Sequence, residues 1–423
     1  MREDYLAQRS YSRLRSEPRY FASLGRGFRY RKYAHYFTTA DETRLVNVYS
    51  AEFKKTHPNR FGMLFSEKGD YSLNLAKEAC SLNKARVLAA LNCNFGFVVT
   101  DDKCLPPHVG YNLCIEKGII KQLPIADKTA CLLTQNNCPS FAFLRAKGLL
   151  TASGVRITWN GSLSKSPDVN PDVVTVFNSF NIRLLQQTNP RTGTIKLVDD
   201  LTLRPPLKKD HLFVQIDAEK DNFITSAAPS YRAPSLLESR LVLQIPKRLA
   251  SLFCKGTTLQ DITLDGISLS NIHYASTVGA LLTQDAFDTL HNIEQSQLFR
   301  TTTTTGNTVY GGSERFARAC LIDTPNLFVF FLVDARSKLP LQSGVTIDEL
   351  RELIHSKYPD FTAAVNVDGG NAPKLIVYKH REFHVYGNLH YQLWPKPGRD
   401  KFTWDGLRGR KVPGMIYCFQ EPP

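Results

Sequence analysis

No two cysteines of this chain form a Cys-x-x-Cys pair, and no apolar run approaches the roughly 20 residues that a membrane span requires. The start, Met-Arg-Glu-Asp-Tyr-Leu-Ala-Gln-Arg-Ser, has no apolar core of signal-peptide length, so the expectation is a soluble chain without a membrane span or a secretory address. Internal repeats are absent by eye, and no low-hydrophobicity stretch is long enough to imply wholesale disorder. The nine cysteines are an odd number scattered among apolar neighbours. Reduced, mostly buried thiols in the cytoplasm or another reducing compartment are expected, rather than disulfides or a metal centre. Without an export signal, Asn160-Gly161-Ser162 would be an unused glycosylation acceptor.

What is present is an ordinary globular composition, 42% hydrophobic and 22% charged, over 423 residues. The net charge of +14 is unevenly placed. Residues 1–37 carry nine basic against three acidic residues, and Lys396, Arg399, Lys401, Arg408, Arg410 and Lys411 face only Asp400 and Asp405. Such ends favour an anionic partner or substrate. In the first forty residues the arginines are interleaved with Tyr5, Tyr11, Tyr20, Phe21, Phe28, Tyr30, Tyr33, Tyr36 and Phe37. That mixture suits an arm that binds nucleic acid or an acidic protein, or one that docks its aromatics on a neighbouring surface and leaves its arginines in water.

Alternation predicts a strand at Leu45–Tyr49, a helix at Leu73–Asn83 and a buried strand over 85–91 that feeds Asn92. Short strands broken by Pro and Gly clusters follow to about residue 280, then a helix near Thr283–Gln297 and a loop over the threonines 301–305. Ala319–Ile322 and Phe328–Val333 read as a hairpin. Thr346 with Glu349 three residues on reads as a capping box. Two carboxylates, Asp334 and Asp368, follow consecutive apolar strands that bracket this helix; were those strands parallel neighbours, both would emerge at one sheet edge. Asn366-Val367-Asp368-Gly369-Gly370 is either a ligand-approach turn or an unoccupied Asp-Gly hairpin.

The ordered set Ala90-Leu91-Asn92-Cys93-Asn94-Phe95, Pro107-His108-Val109-Gly110, Arg318-Ala319-Cys320-Leu321, Leu332-Val333-Asp334-Ala335-Arg336, Ser343-Gly344-Val345-Thr346 and Asn366-Val367-Asp368-Gly369-Gly370 resembles the phosphodiester glycosidase family. Arg410-Lys411-Val412-Pro413 looks like that family's closing strand, and the resemblance spans roughly residues 45–420. It implies an α+β fold of mixed β-sheets with flanking helices, in a glycosidase-like domain over 41–423 with a β-rich middle at about 150–310; the basic aromatic arm over 1–40 lies outside it. The sequence departs from the family pattern at Cys93, Asn94 and Ala335, and at Asn371-Ala372-Pro373-Lys374, where the family has Gly-Ser-Ser-Thr. Pro373 has no N–H, and the absent hydroxyls are groups that bind phosphate, so either specificity has shifted or activity has been lost.

The implied chemistry is hydrolysis, or binding, of a sugar joined through its anomeric carbon to a phosphodiester, with a sugar-phosphate or nucleotide sugar as ligand. A phosphate monoester leaves as a good anion, so cations on the phosphate matter more than a general acid. The candidate carboxylates are Asp368 and Asp334. Candidate substrate-binding residues are Arg318 and Arg336 for the phosphate, Asn92 and Asn366 for sugar hydroxyls, and Gly369, Gly370, Thr346 and Arg410 around them. No cofactor is implied. His380 and His384 stand across an expected turn and need not share a face, so no metal site is expected. From another class comes the alternative of a non-catalytic structural or interaction protein of a virion or other large assembly, joined to other subunits and keeping the glycosidase-like fold.

Overall fold

In the computed structural model the described residues are 16–23, 27–38, 43–93, 112–134, 139–178, 186–188, 195–197, 204–217, 223–236, 241–279, 281–283, 301–302, 308–309, 315, 317–335, 344–367, 373–387 and 411–420. Alternating β-branched and aromatic residues make these segments predominantly strand. Two α-helices, Ser72–Asn83 and Ile347–Lys357, and two short 3₁₀ turns are the helical elements among them. Neither helix is long and apolar enough to cross a membrane.

A seven-stranded antiparallel sheet runs in the order Ser16–Ser23, Phe28–Thr38, Thr43–Lys54, Leu327–Val333, Arg318–Asp323, Ala363–Val367, Leu281–Thr283. A five-stranded antiparallel sheet runs Glu382–Gly387, Lys374–Lys379, Arg86–Asn92, Lys411–Gln420, Arg60–Tyr71. Period-two alternation gives each sheet two apolar faces. The inner faces share one core, in which Tyr49, Phe53, Phe330, Leu332 and Val367 meet Leu91, Leu375 and Ile416. Outside the first sheet, Val48, Phe331 and Val333 pack on Leu350, Leu353 and Ile354 of one helix. Outside the second, Ala90, Ile376 and Met415 pack on Leu75, Ala76 and Ala79 of the other. The result is a helix–sheet–sheet–helix sandwich, and the buried positions 72, 75, 76 and 79 show the helical spacing that such a face needs.

A third, five-stranded antiparallel sheet (Ile119–Gln122, Cys114–Glu116, Ile272–Thr277, Lys128–Thr134, Pro139–Leu144) carries the sandwich over to a fourth. The fourth sheet has seven strands, ordered Ile224–Thr225, His211–Asp217, Leu241–Pro246, Val174–Asn178, Val155–Gly161, Lys147–Ala152, Leu259–Gln260. Its two edges almost meet, through the bridge of Ile224 to Thr258 and a 2.8 Å bond from Leu259 N to Phe223 O, so it is a nearly closed barrel. Trp159, Val176, Val214 and Leu243 fill the interior. Gly148 lets the Thr263–Ser268 hairpin lie against the wall, since a Cβ there would stand 1.9 Å from Thr263 O.

Of the expected α+β fold with mixed sheets and flanking helices, the flanking helices and one mixed sheet are present, within a fold that is predominantly β. Parallel pairing occurs in the barrel, between Val155–Gly161 and Val174–Asn178, while the two sandwich sheets are antiparallel throughout. Residues 28–38 of the basic aromatic segment pair along their whole length with 43–53 and bury Phe28, Tyr30, Tyr33 and Phe37. Of the threonine run expected as a loop, Thr301–Thr302 forms a short strand against Thr308–Val309. Most of the helix expected over 283–297 lies outside the described residues. Cys93, Cys114, Cys131, Cys320 and Cys418 are buried free thiols.

Candidate functional site

The strands ending at Val333 and Val367 are not neighbours. Arg318–Asp323 lies between them, antiparallel to both, with Arg318 opposite Val333 and Ala319 opposite Val367. Two antiparallel steps restore a common direction, so both strands end at one sheet edge, by a route other than the parallel pairing expected from sequence. Asp334 follows the first of these ends. Asp368, Gly369, Gly370, Arg336 and Arg410 lie outside the described residues.

Alternation divides the remaining candidates between two faces. Asn366 is paired with Cys320, and Arg318 with Val333, so both lie on the rows that face the Ile347–Lys357 helix. Arg318 is buried and its Nε donates to Val345 O at 3.2 Å. Thr346 is the cap of that helix: its hydroxyl accepts from Glu349 N at 3.1 Å, while Glu349 Oε2 accepts from Thr346 N at 3.0 Å. Asn366 is 6% exposed, and its side-chain oxygen has no hydrogen-bond partner among the described residues.

Asn92 and Asp334 both adjoin Lys374, where the two sheets close on each other. Asn92 ends its strand fully buried, and its Oδ1 accepts from Lys374 N at 3.3 Å. Lys374 is itself 1% exposed, and its ammonium donates to Pro373 O at 3.4 Å. Burial pushes the Lys374 pKa down to about 8, against the opposing pull of the Asp334 carboxylate. Asp334 N is bonded to Asn47 O at 2.9 Å. Asn47 shares the inner face with Tyr49; it is fully buried, and neither its side-chain oxygen nor its nitrogen has a hydrogen-bond partner among the described residues. An unsatisfied buried amide costs about 1–3 kcal/mol, so this edge holds polar capacity that the fold itself does not use.

Close approach of the sheets depends on Gly387, opposite Lys374. Its φ is +119°, and a Cβ there would lie 2.5 Å from Pro373 O and 3.1 Å from Leu332. The adjacent Tyr386 is half-buried and stacks on Tyr30 at 4.9 Å and on Tyr49 at 5.2 Å. Lys379 lies over the Tyr30 and Tyr386 rings, at 5.2 and 5.4 Å. Cys93, next to Asn92, is fully buried, and burial with the neighbouring Cys131 raises its thiol pKa well above the ordinary value. Among the described residues no cluster of three His, Cys, Asp or Glu could hold a metal ion.

Sequence reasoning missed Asn47, Lys374 and Tyr386 as site residues. Two of them had a signal: Asn47 interrupts Val46 and Val48, and Lys374 heads the apolar Leu375-Ile376-Val377, positions where a polar side chain is forced into a buried strand.

No family model matches the sequence, and no curated protein matches it. Solved structures that match with TM-scores above 0.5 share the fold. A protein of Burkholderia pseudomallei described as exported is 15% identical with a TM-score of 0.56, the match covering 96% of this chain and 97% of that one. A hypothetical protein from Synechocystis is 13% identical with a TM-score of 0.52, covering 92% of this chain; the match spans 62% of the Synechocystis chain. The zebrafish N-acetylglucosamine-1-phosphodiester alpha-N-acetylglucosaminidase catalytic domain, auto-inhibited by its pro-peptide, is 9% identical with a TM-score of 0.44, over 97% of this chain and 88% of that one.

Proposed function

We propose that the edge formed by Asn92, Asp334 and Lys374 binds a sugar joined through its anomeric carbon to a phosphodiester, and that the chain hydrolyses this bond. The observation that carries this reading is the buried Lys374 ammonium within electrostatic reach of Asp334 and tied through its backbone to Asn92. In a site of low dielectric a lysine held beside a carboxylate is a cation ready for a phosphate, and the unsatisfied Asn47 amide is a partner for sugar hydroxyls. The ordered motifs supply the second support: in the sequence Asp368 directly follows Val367, the last residue of a strand that ends at this edge.

In this reading Lys374 takes the phosphate role that sequence reasoning assigned to Arg318, whose Nε is engaged by Val345 O on the helix side. Lys374 and Arg336 neutralise the departing phosphate monoester. One of Asp368 and Asp334 attacks or activates water as positive charge develops on the sugar ring.

The test is release of sugar from an α-N-acetylglucosamine-1-phosphodiester and from a nucleotide sugar, with Asp368→Asn, Asp334→Asn and Lys374→Met as comparisons. Turnover should fall at least about a hundredfold in Asp368→Asn. Full activity in that variant removes Asp368 from the mechanism.

One observation favours binding without turnover, as in a structural protein of a virion or other assembly. Where the family pattern has hydroxyls, the Lys374 ammonium is partly satisfied inside the chain by Pro373 O. Saturable binding of the diester by wild type with no sugar released would decide for it.

A further inference from the structure

We propose that the outer wall of the barrel carries a second anion site, independent of the sheet edge, that takes a small organic phosphate monoester. Leu212, Val214 and Ile216 point into the barrel, so Phe213 and Gln215 between them face outward. The neighbouring segment pairs Thr225 with Ile216 but Ser230 with Phe213, a step of five residues against three. The two extra residues bow Ala227 and Ala228 away from the strand, while Ser230 is pinned back by bonds of 2.7 and 3.0 Å to Phe213. The bow leaves a cavity of about 340 Å³.

Its lining suits such a ligand. Arg204 and Arg232 both border the cavity, together with Gln215, Ser230 and Ser235, and no acidic residue does. Arg204 reaches the Ala233 carbonyl at 3.5 Å, which leaves most of its fork of donors for a ligand. Two guanidinium groups match the charge of a phosphate monoester near pH 7, and their paired N–H groups, with two hydroxyls, match its three oxygens better than the two of a carboxylate. The alanines and Pro234 form an apolar wall for the organic part, over a floor of buried Phe213. Beside the cavity, Lys247 stands 5.8 Å over the Tyr231 ring and adds positive charge, with Asp210 as its acidic neighbour.

The experiment is calorimetric titration of the full chain with phenyl phosphate, benzoate and inorganic phosphate at low ionic strength. Phenyl phosphate should bind the wild type, and the Arg204→Ala/Arg232→Ala double variant should lose at least about tenfold in affinity. Both arginines are exposed, so the variant should keep the wild-type far-ultraviolet spectrum and melting temperature. The double variant should bind the α-N-acetylglucosamine-1-phosphodiester as the wild type does, which separates this site from the sheet edge. Equal affinity for phenyl phosphate in the double variant, absence of binding at millimolar phenyl phosphate, or benzoate binding as tightly would each overturn the assignment.

Discussion

Lys374 shows how one residue couples burial to pH. Its folded-state pKa lies near 8 and its ordinary value is 10.5. Below pH 8 the ammonium is charged in folded and unfolded chains alike, and the whole desolvation cost stands. Between about 8 and 10.5 the folded chain has released a proton that the unfolded chain still holds, so the folded state gains stability as pH rises. The gain between pH 8 and pH 10 should be about 2 kcal/mol and should be absent from Lys374→Met. Urea unfolding of the two proteins across this range measures it, and parallel curves would count against a buried, depressed lysine. The same titration should weaken phosphodiester binding at the sheet edge above pH 8, because the cation is being lost. Asn92 was legible as a candidate from its place after an apolar strand. Lys374 was legible as a departure from a motif and as a polar residue heading an apolar strand, but nothing local says that Asp334, forty residues away in sequence, lies within reach of its ammonium.

At the scale of elements, the Ile347–Lys357 helix was readable from its first turn, and the structure contains the capping box that Thr346 and Glu349 announce. What the local pattern did not contain is the reason Glu349 is tolerated in the core. Its fully buried carboxylate pairs with Arg44 at 2.9 Å and Arg315 at 3.0 Å, and Arg44 also donates to Gly344 O and lies 4.7 Å over the Phe37 ring. Thr346→Ala removes only a cap and should cost about 1 kcal/mol. Glu349→Ala leaves the buried Arg44 and its neighbour without their carboxylate and should cost about 3–5 kcal/mol. Chemical denaturation of the two variants separates them, and equal losses would contradict the charge cluster. Strand registers follow the same division. The alternation of Ala319–Ile322 and Phe328–Val333 predicted their hairpin, but apolar strands accept many partners. That Arg318–Asp323 would also take Ala363–Val367 on its free side is a choice made by packing against the helix and the second sheet.

Across the molecule, the third sheet decides how the halves are coupled. Ala130 and Leu132 face the barrel core, while Cys131 and Leu133, alternating with them on one strand, face the sandwich core. A sheet committed on both faces ties the two cores into one cooperative unit. Calorimetry should therefore give a single unfolding transition, displaced as a whole by Trp159→Ala in the barrel and by Phe330→Ala in the sandwich, each costing about 3–5 kcal/mol. A second transition moved by only one of these changes would refute the coupling.

The amino-acid sequence by itself determined the strand-rich character, the two amphipathic helices, the capping box, the buried free thiols and the order of motifs that names a candidate chemistry. These follow from side-chain periodicity and local hydrogen-bonding chemistry, which act over a few residues. Only the tertiary structure decided the antiparallel interleaving that returns two strand ends to one edge, the closure of the middle segment into a barrel, and the meeting of Asn47, Asn92, Asp334 and Lys374. Those depend on which apolar faces bury each other best, and that competition is settled between segments hundreds of residues apart.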